Sequence, residues 1–364
     1  MAAEVLARGG SDRRRFLRLC GAGAVAAAAL RPGGAMAALG QIRDLRTFLR
    51  VATFDSATED AWQDAWGNPF TSDTGTKVDV VTTEPTPSAI QLAARTNDVD
   101  WDCVDGDLFL CPVLGQAGVL QPYDYTKVDK TKVRPEHVND YGCAAYLYST
   151  VNAYSLDKTG GKAPNGYRDY LDFKQFPGKR AMYRWLVGSL EAVLLGDGVP
   201  PEKLYPLDVP RAFARIKEHK DQLVLWGNGA AAEQLFRDGT VVMGSLWASR
   251  AFNMDRQSKG KVTRTWDQGI VAAGALQVPV GNPAGARVFD FIASTQDPQR
   301  QALLFKDLGV GTANPAASEV VEEDFRNGDC GYEPNYKRQI PIDVQWYAEN
   351  YARVQNDFLD LMGT

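Results

Sequence analysis

Histidine is scarce: His137 and His219 are the only two in 364 residues, and they stand far apart. A histidine-based zinc centre or a Ser-His-Asp triad has little to be built from. Cysteine is nearly as rare, with five residues and no Cys-x-x-Cys pair, so no metal or redox motif is expected. The net charge is −5, which removes the basic footprint of a nucleic-acid-binding protein. No glycine-rich cofactor fingerprint, nucleophile elbow or internal repeat is present. No cofactor is expected.

The N-terminus is the first positive signal. Asp12-Arg13-Arg14-Arg15-Phe16-Leu17-Arg18 resembles a twin-arginine export signal, with Asp12 at the usual Ser/Thr position. An Ala-rich run from Leu19 to Leu30 follows, then Ala35-Met36-Ala37, a small-x-small cleavage site. That run is too short and too weakly apolar to span a bilayer. Residues 1–37 therefore read as a removable signal peptide, and the expected location is periplasmic by the twin-arginine route. Cys20 follows Leu19 rather than a small residue, which argues against a lipoprotein anchor. Cys103, Cys111, Cys143 and Cys330 remain. Two disulfides, with Cys103–Cys111 as the local candidate, and four buried thiols are both open.

The rest of the chain alternates strand and helix patterns, as in a doubly wound α/β protein. Strands are expected over Leu45–Phe54, Thr76–Val81 and Trp101–Val104, the last closing with Asp105-Gly106-Asp107. A helix from Thr58 to about Phe70 places Trp62 and Trp66 on one face. Tyr146–Tyr154 reads as a strand with polar Ser149 and Thr150 at its middle, and Gly161–Phe173 as a surface loop. Ala181–Trp185 is a strand, Ser189 an N-cap and Leu190–Leu195 a helix. A helix closed by Gly239 leads into the charge-free strand Thr240–Leu246 and then a polar turn, Trp247-Ala248-Ser249-Arg250. Lys261–Trp266 and Gly269–Val280 are two further strands. Ligands of open α/β sheets sit outside the carboxyl ends of strands. Those ends carry Asp55-Ser56, Asp105/Asp107 and Trp247 to Arg250; helix capping explains Asp55 and Ser56 equally well.

Several separate stretches, in order, resemble one family: Tyr148-Ser-Thr-Val-Asn-Ala-Tyr154, Phe176-Pro-Gly-Lys-Arg180, Leu190-Glu-Ala-Val-Leu-Leu195, Leu204-Tyr-Pro-Leu-Asp208, Trp247 and Asn314-Pro315. Together they are similar to extracytoplasmic solute-binding proteins of ABC importers, in the spermidine/putrescine-binding branch. The resemblance implies an α/β, two-lobed type II periplasmic binding protein fold, with each lobe a discontinuous doubly wound sheet and crossing strands as the hinge. Lobe one would be 41–145 and 268–310, and lobe two 146–267 and 311–364. It implies a monomer that captures a polyamine-like or other small organic cation or zwitterion and delivers it to a membrane permease; it is not expected to be an enzyme.

The ligand-binding residues expected on this basis are Asp55, Ser56, Glu59, Asp107, Ser149, Trp185, Trp247 and Arg250. The sequence departs from the family at Val271, Ala272, Ala273, Gly274 and Val310, where aromatic cage walls and a carboxylate are usual. Arg184 and Arg250, if they face the cleft, suit a carboxylate and oppose a polyamine. The alternatives are an exported enzyme and a binding protein that serves a sensor rather than an importer.

Overall fold

Two long strands form the spine of the protein. They are β5 (Gly142–Ser155) and β9 (Val262–Gln277), paired antiparallel from Ala144–Ala275 to Ser155–Val262. The computed structural model describes residues 47–83 and 85–363; the expected signal peptide lies outside them.

Around the spine stand β1 (Phe48–Thr53), β2 (Lys77–Thr82), β3 (Cys103–Asp107), β4 (Val138–Asn139), β6 (Lys179–Tyr183), β7 (Leu223–Trp226), β8 (Val241–Trp247) and β10 (Ile340–Pro341). The sheet runs β2-β1-β3-β9-β5-β8-β6-β7. It reads the same way from both edges: β2-β1-β3-β9-β5 on one side, β7-β6-β8-β5-β9 on the other. In both halves the three outer strands are parallel, and the crossing strand beside them is antiparallel.

The spine is irregular at two places, the first between Ala144 and Tyr146. Register slips again between Thr150 and Asn152, and opposite this second slip Gln268 takes a left-handed conformation, with φ of 61°. Lys261–Trp266 and Gly269–Val280, expected as two strands, are thus one strand with an irregular centre. The expected boundary at 267/268 falls at this interruption.

Local chemistry explains most of the element boundaries. The helix Pro87–Thr96 starts where Thr86 Oγ1 accepts the amide of Ala89, and Pro298–Leu308 where Asp297 accepts those of Gln299 and Arg300. Trp62 and Trp66 pack at 4.8 Å between ring centroids, both fully buried.

Four local expectations need correction. β3 extends through Asp105 and Asp107 rather than stopping before them. Within Gly161–Phe173, Tyr167 and Tyr170 are completely buried, because their hydroxyls reach Ser245 Oγ and the carbonyl of Ala181. Ser189 is not the cap of its helix. Gly188, at φ 81°, holds that position, and Ser189 Oγ donates to the carbonyls of Tyr183 and Trp185. Trp247-Ala248-Ser249-Arg250 is not a turn, since the helix Ala248–Ser258 begins directly after β8. The four cysteines are free thiols, all buried.

The Phe176–Arg180 stretch has a structural role. Arg180 is fully buried and donates to the carbonyls of Tyr170, Asp172, Phe176 and Gly178 at 2.6–3.2 Å. Burial pulls its pKa down to about 10. Arg180→Met would leave four carbonyls without this donor, and an unsatisfied buried polar group costs about 1–3 kcal/mol. The expected loss is ~3 kcal/mol or more in urea-unfolding stability, with Lys179→Met as a near-neutral control because Lys179 is exposed.

Candidate functional site

β3 presents Asp105 and Asp107 on one face, since residues two apart in a strand point the same way. β5 presents Tyr146 and Tyr148 on that face too, but β9 lies between the two strands. Each tyrosine crosses β9 to reach a carboxylate. Tyr146 donates to Asp105 Oδ1 at 2.8 Å, and Tyr148 donates to Asp107 Oδ1 at 2.6 Å. The crossing is made possible by small residues on β9, where Tyr146 pairs with Gly274 and Tyr148 with Ala272. A Cβ on Gly274 would lie 2.1 Å from Tyr146 Cζ. The space where a cage wall was expected on β9 is therefore filled by a phenol from β5. Trp62 closes its other side, edge-on at 6.2 Å between centroids.

The two carboxylates differ in access. Asp105 is 7% exposed and both its oxygens are covered, the second by Thr53 Oγ1 at 3.4 Å. Asp107 is half-buried, and among the described residues its Oδ2 has no donor. Burial pushes the Asp105 carboxyl up to about 7, with the charges of Asp107 and Asp55 adding to it and the bonds from Tyr146 and Thr53 opposing it. Burial likewise raises Asp107 to about 6 against the bond from Tyr148. Both groups are thus held short of a positive partner.

The opposite wall is aromatic. Tyr183, at the end of β6, stacks on Trp226 at 4.4 Å, and Trp247 meets both rings edge-on at 5.3 and 5.2 Å. Trp226 Nε1 is satisfied by the carbonyl of Ser245, which leaves the ring faces for packing. Burial pushes the Tyr183 phenol up, Asp107 and Tyr351 add to that, and the Arg184 guanidinium opposes it. Arg184 is exposed. It lies across Gly227 in the turn after β7, where a Cβ would stand 2.8 Å from Arg184 Cδ, and over the Trp185 ring at 5.3 Å.

The expected site residues divide accordingly. Asp107 and Trp247 belong to this constellation. Asp55 is exposed and accepts the amide of Thr58 at 2.8 Å as a helix cap, while its charge reaches Asp105 and Tyr146; Ser56 is exposed beside it. Trp185 is 37% exposed and underlies Arg184. Three residues are occupied elsewhere. Glu59 Oε2 accepts both the amide and the hydroxyl of Thr82. Ser149 is buried on the far face of β5 and donates to Gln339 Oε1 at 2.6 Å. Arg250 pairs at 3.4 Å with Glu233, which also holds Arg237. Tyr146, Tyr148, Tyr183 and Trp226 were not expected. The signal for Tyr146 and Tyr148 is Asp-x-Asp, Tyr-x-Tyr and Ala-x-Gly on three strands, which has meaning only once β9 is known to lie between β3 and β5. Among the described residues no cluster of His, Cys, Asp or Glu is arranged to hold a metal.

The sheet thus has a mirrored order, with an acidic pair on β3 and an aromatic cluster formed by β6, β7 and β8. The family model for bacterial extracellular solute-binding proteins matches residues 65–328.

The chain belongs to the bacterial extracellular solute-binding proteins.

A gamma-aminobutyric acid-binding protein of Pseudomonas aeruginosa is 25% identical over 319 residues, covering 85% of this chain and 89% of its own. A solved GABA receptor structure is 30% identical with a TM-score of 0.80, covering 86% of this chain and 97% of its own. An ABC transporter substrate-binding protein from Bradyrhizobium japonicum is 28% identical with a TM-score of 0.79, covering 87% and 99%. The fold is that of the type II periplasmic binding proteins. The family implies a periplasmic location, and its members serve ABC importers by delivering small molecules to a membrane permease. These relatives are solute-binding proteins, not enzymes. The resemblance thus holds at the level of the family; none of these three names a polyamine.

The raised carboxyls fix a pH dependence. Their native pKa values lie above the unfolded value, so between about pH 4 and pH 7 the native state binds more protons and stability falls as pH rises. In the ligand-free protein these two groups are expected to lower the melting temperature as pH rises from about 4 to about 7. Asp105→Asn should shrink that drop and raise the melting temperature at pH 8, as read by scanning calorimetry.

Proposed function

We propose that this protein is the periplasmic receptor of an ABC importer for a small zwitterion of the ω-amino acid class, such as GABA. The reading rests on one observation: an anionic group, Asp107, and a cationic one, Arg184, both lie within electrostatic reach of the Tyr183 phenol, which itself packs against Trp226 and Trp247. Asp107, with one oxygen free and the Tyr148, Tyr183 and Tyr351 rings near it, is the partner for an ammonium group. Arg184 is the partner for a carboxylate. Tyr183 and Trp247 receive the methylenes between them, with the buried Trp226 behind. The GABA-binding names of two relatives agree with this pairing of charges. A linear polyamine would bring a second ammonium towards Arg184, and a buried charge without an opposite partner is costly.

In this reading β5 and β9 are the hinge strands, with the lobes divided near 145/146, 267/268 and 310/311. The halves close over the solute, and the permease reads the closed form. The protein acts as a monomer. Residues 1–37 direct it through the twin-arginine route, so Arg13→Lys combined with Arg14→Lys should hold the precursor in the cytoplasm in cell fractionation.

Titration calorimetry of the mature protein tests the ligand. GABA or a neighbouring ω-amino acid should bind, and putrescine should bind far more weakly. A hydrogen bond to a charged group is worth about 1.5–3 kcal/mol, so Asp107→Asn should weaken zwitterion binding ~10- to 100-fold. Arg184→Ala should weaken it comparably while leaving a simple alkylamine unaffected. Trp247→Ala should cost both ligands alike. Tight binding of putrescine by the wild type, with no response to ω-amino acids, would overturn the assignment.

A further inference from the structure

β3 carries two carboxylates on the cleft face, yet only one is available. Asp105 and Asp107 stand two residues apart, about 6.7 Å along the strand, a spacing of the same order as the span between the two nitrogens of a four- or five-carbon diamine. The strand therefore offers the anionic half of a diamine site. Asp107 keeps one oxygen free, whereas both oxygens of Asp105 are covered, by Tyr146 at 2.8 Å and Thr53 at 3.4 Å. Thr53 is buried on the neighbouring strand and its bond is long. Tyr146 makes the shorter bond, and its ring is wedged between Trp62 and the bare backbone of Gly274.

We propose that Tyr146 is a specificity-determining residue, which withholds Asp105 from the ligand and so restricts the site to solutes with a single ammonium group. The inference rests on the zwitterion reading and adds the device that excludes diamines. A neutral hydroxyl satisfies Asp105 without bringing a positive charge. A second ammonium arriving at Asp105 must displace that hydroxyl and leave it unpaired beside Trp62, at the cost of an orphaned buried polar group. Substituting the tyrosine hydroxyl removes this competitor and leaves a buried carboxylate whose best remaining partner is a cation. Gly274 and Ala272 are part of the device, since they allow the phenols of β5 to cross β9 at all.

The test is calorimetry of wild type, Tyr146→Phe, Tyr146→Ala and the double variant Tyr146→Phe with Asp105→Asn, with GABA, putrescine and cadaverine as probes at about pH 8. Tyr146→Phe keeps the ring over Gly274 and should fold as the wild type does. It should bind one of the two diamines at least ~10-fold more tightly than the wild type, the size of one charge-assisted bond, with GABA affinity within about threefold. Tyr146→Ala, which also vacates the ring's space, should gain at least as much if it folds. The double variant should lose the gain, which a general loosening of the cleft would not. If Tyr146→Phe binds GABA normally and gains nothing for either diamine, or if its gain survives Asp105→Asn, the inference is overturned. If no variant and no wild type binds an ω-amino acid but Tyr146→Phe gains a diamine through Asp105, the zwitterion reading fails and the masking of Asp105 stands.

Discussion

The pairing of β5 with β9 is the constraint from which the rest of the structure follows. These two strands belong to both halves of the sheet, each lying antiparallel beside the parallel strands of one half. Their pairing sets which residues of β3 and β5 face each other across β9. One residue of slip would turn Tyr146 and Tyr148 to the opposite face, and both carboxylates would lose their hydroxyl partners. Such a slip would also bring Ser149 to the cleft face and strip it of Gln339. The ladder is irregular at two places, Ala144–Tyr146 and Thr150–Asn152, the second opposite Gln268.

The acidic pair on β3 is held without a positive partner. Three aspartates stand close enough to influence one another, and the two on β3 are raised by burial. Tyrosine hydroxyls keep them hydrogen-bonded without neutralising them. This differs from the carboxylates elsewhere in the molecule that are satisfied by arginine, such as Asp197 with Arg211 and Arg215. Glu191 shows the limit of the same arrangement. It is fully buried, accepts the hydroxyls of Tyr205 and Tyr347 and is raised by desolvation. Its place in the first turn of a helix is therefore reinforced by phenols as well as by the helix dipole.

Much of the fold was legible because its cues are local. β-branched runs gave the parallel strands. The capping reading of Asp55 matched a helix start, and the aromatic and β-branched composition of Tyr146–Tyr154 gave part of the spine. Asp107 and Trp247 were legible as candidates because they end strands, where α/β sheets bind ligands. Ser149 and Glu59 were picked from sequence position too, and here they are bound to Gln339 and Thr82. A polar residue in a strand faces whichever side the register dictates, and a carboxylate near a strand end is free to serve a neighbouring strand instead. Arg250 looked available because its partner, Glu233, lies seventeen positions earlier on another helix.

The sequence by itself determined the alternation of strands and helices, the family, the scarcity of metal-ligating groups and the supply of acidic, aromatic and basic residues. Those properties depend on residue type and on neighbours within a few positions. Only the tertiary structure decided which carboxylate is open and which is closed. Asp105 and Asp107 differ by two positions and look alike in the sequence. Their fates depend on Tyr146, forty-one residues away, and on a glycine in a third strand that lets its ring pass. Tertiary structure likewise made Gly274 the floor of the site, because what fills a space left by a small residue is set by the strand that packs beside it.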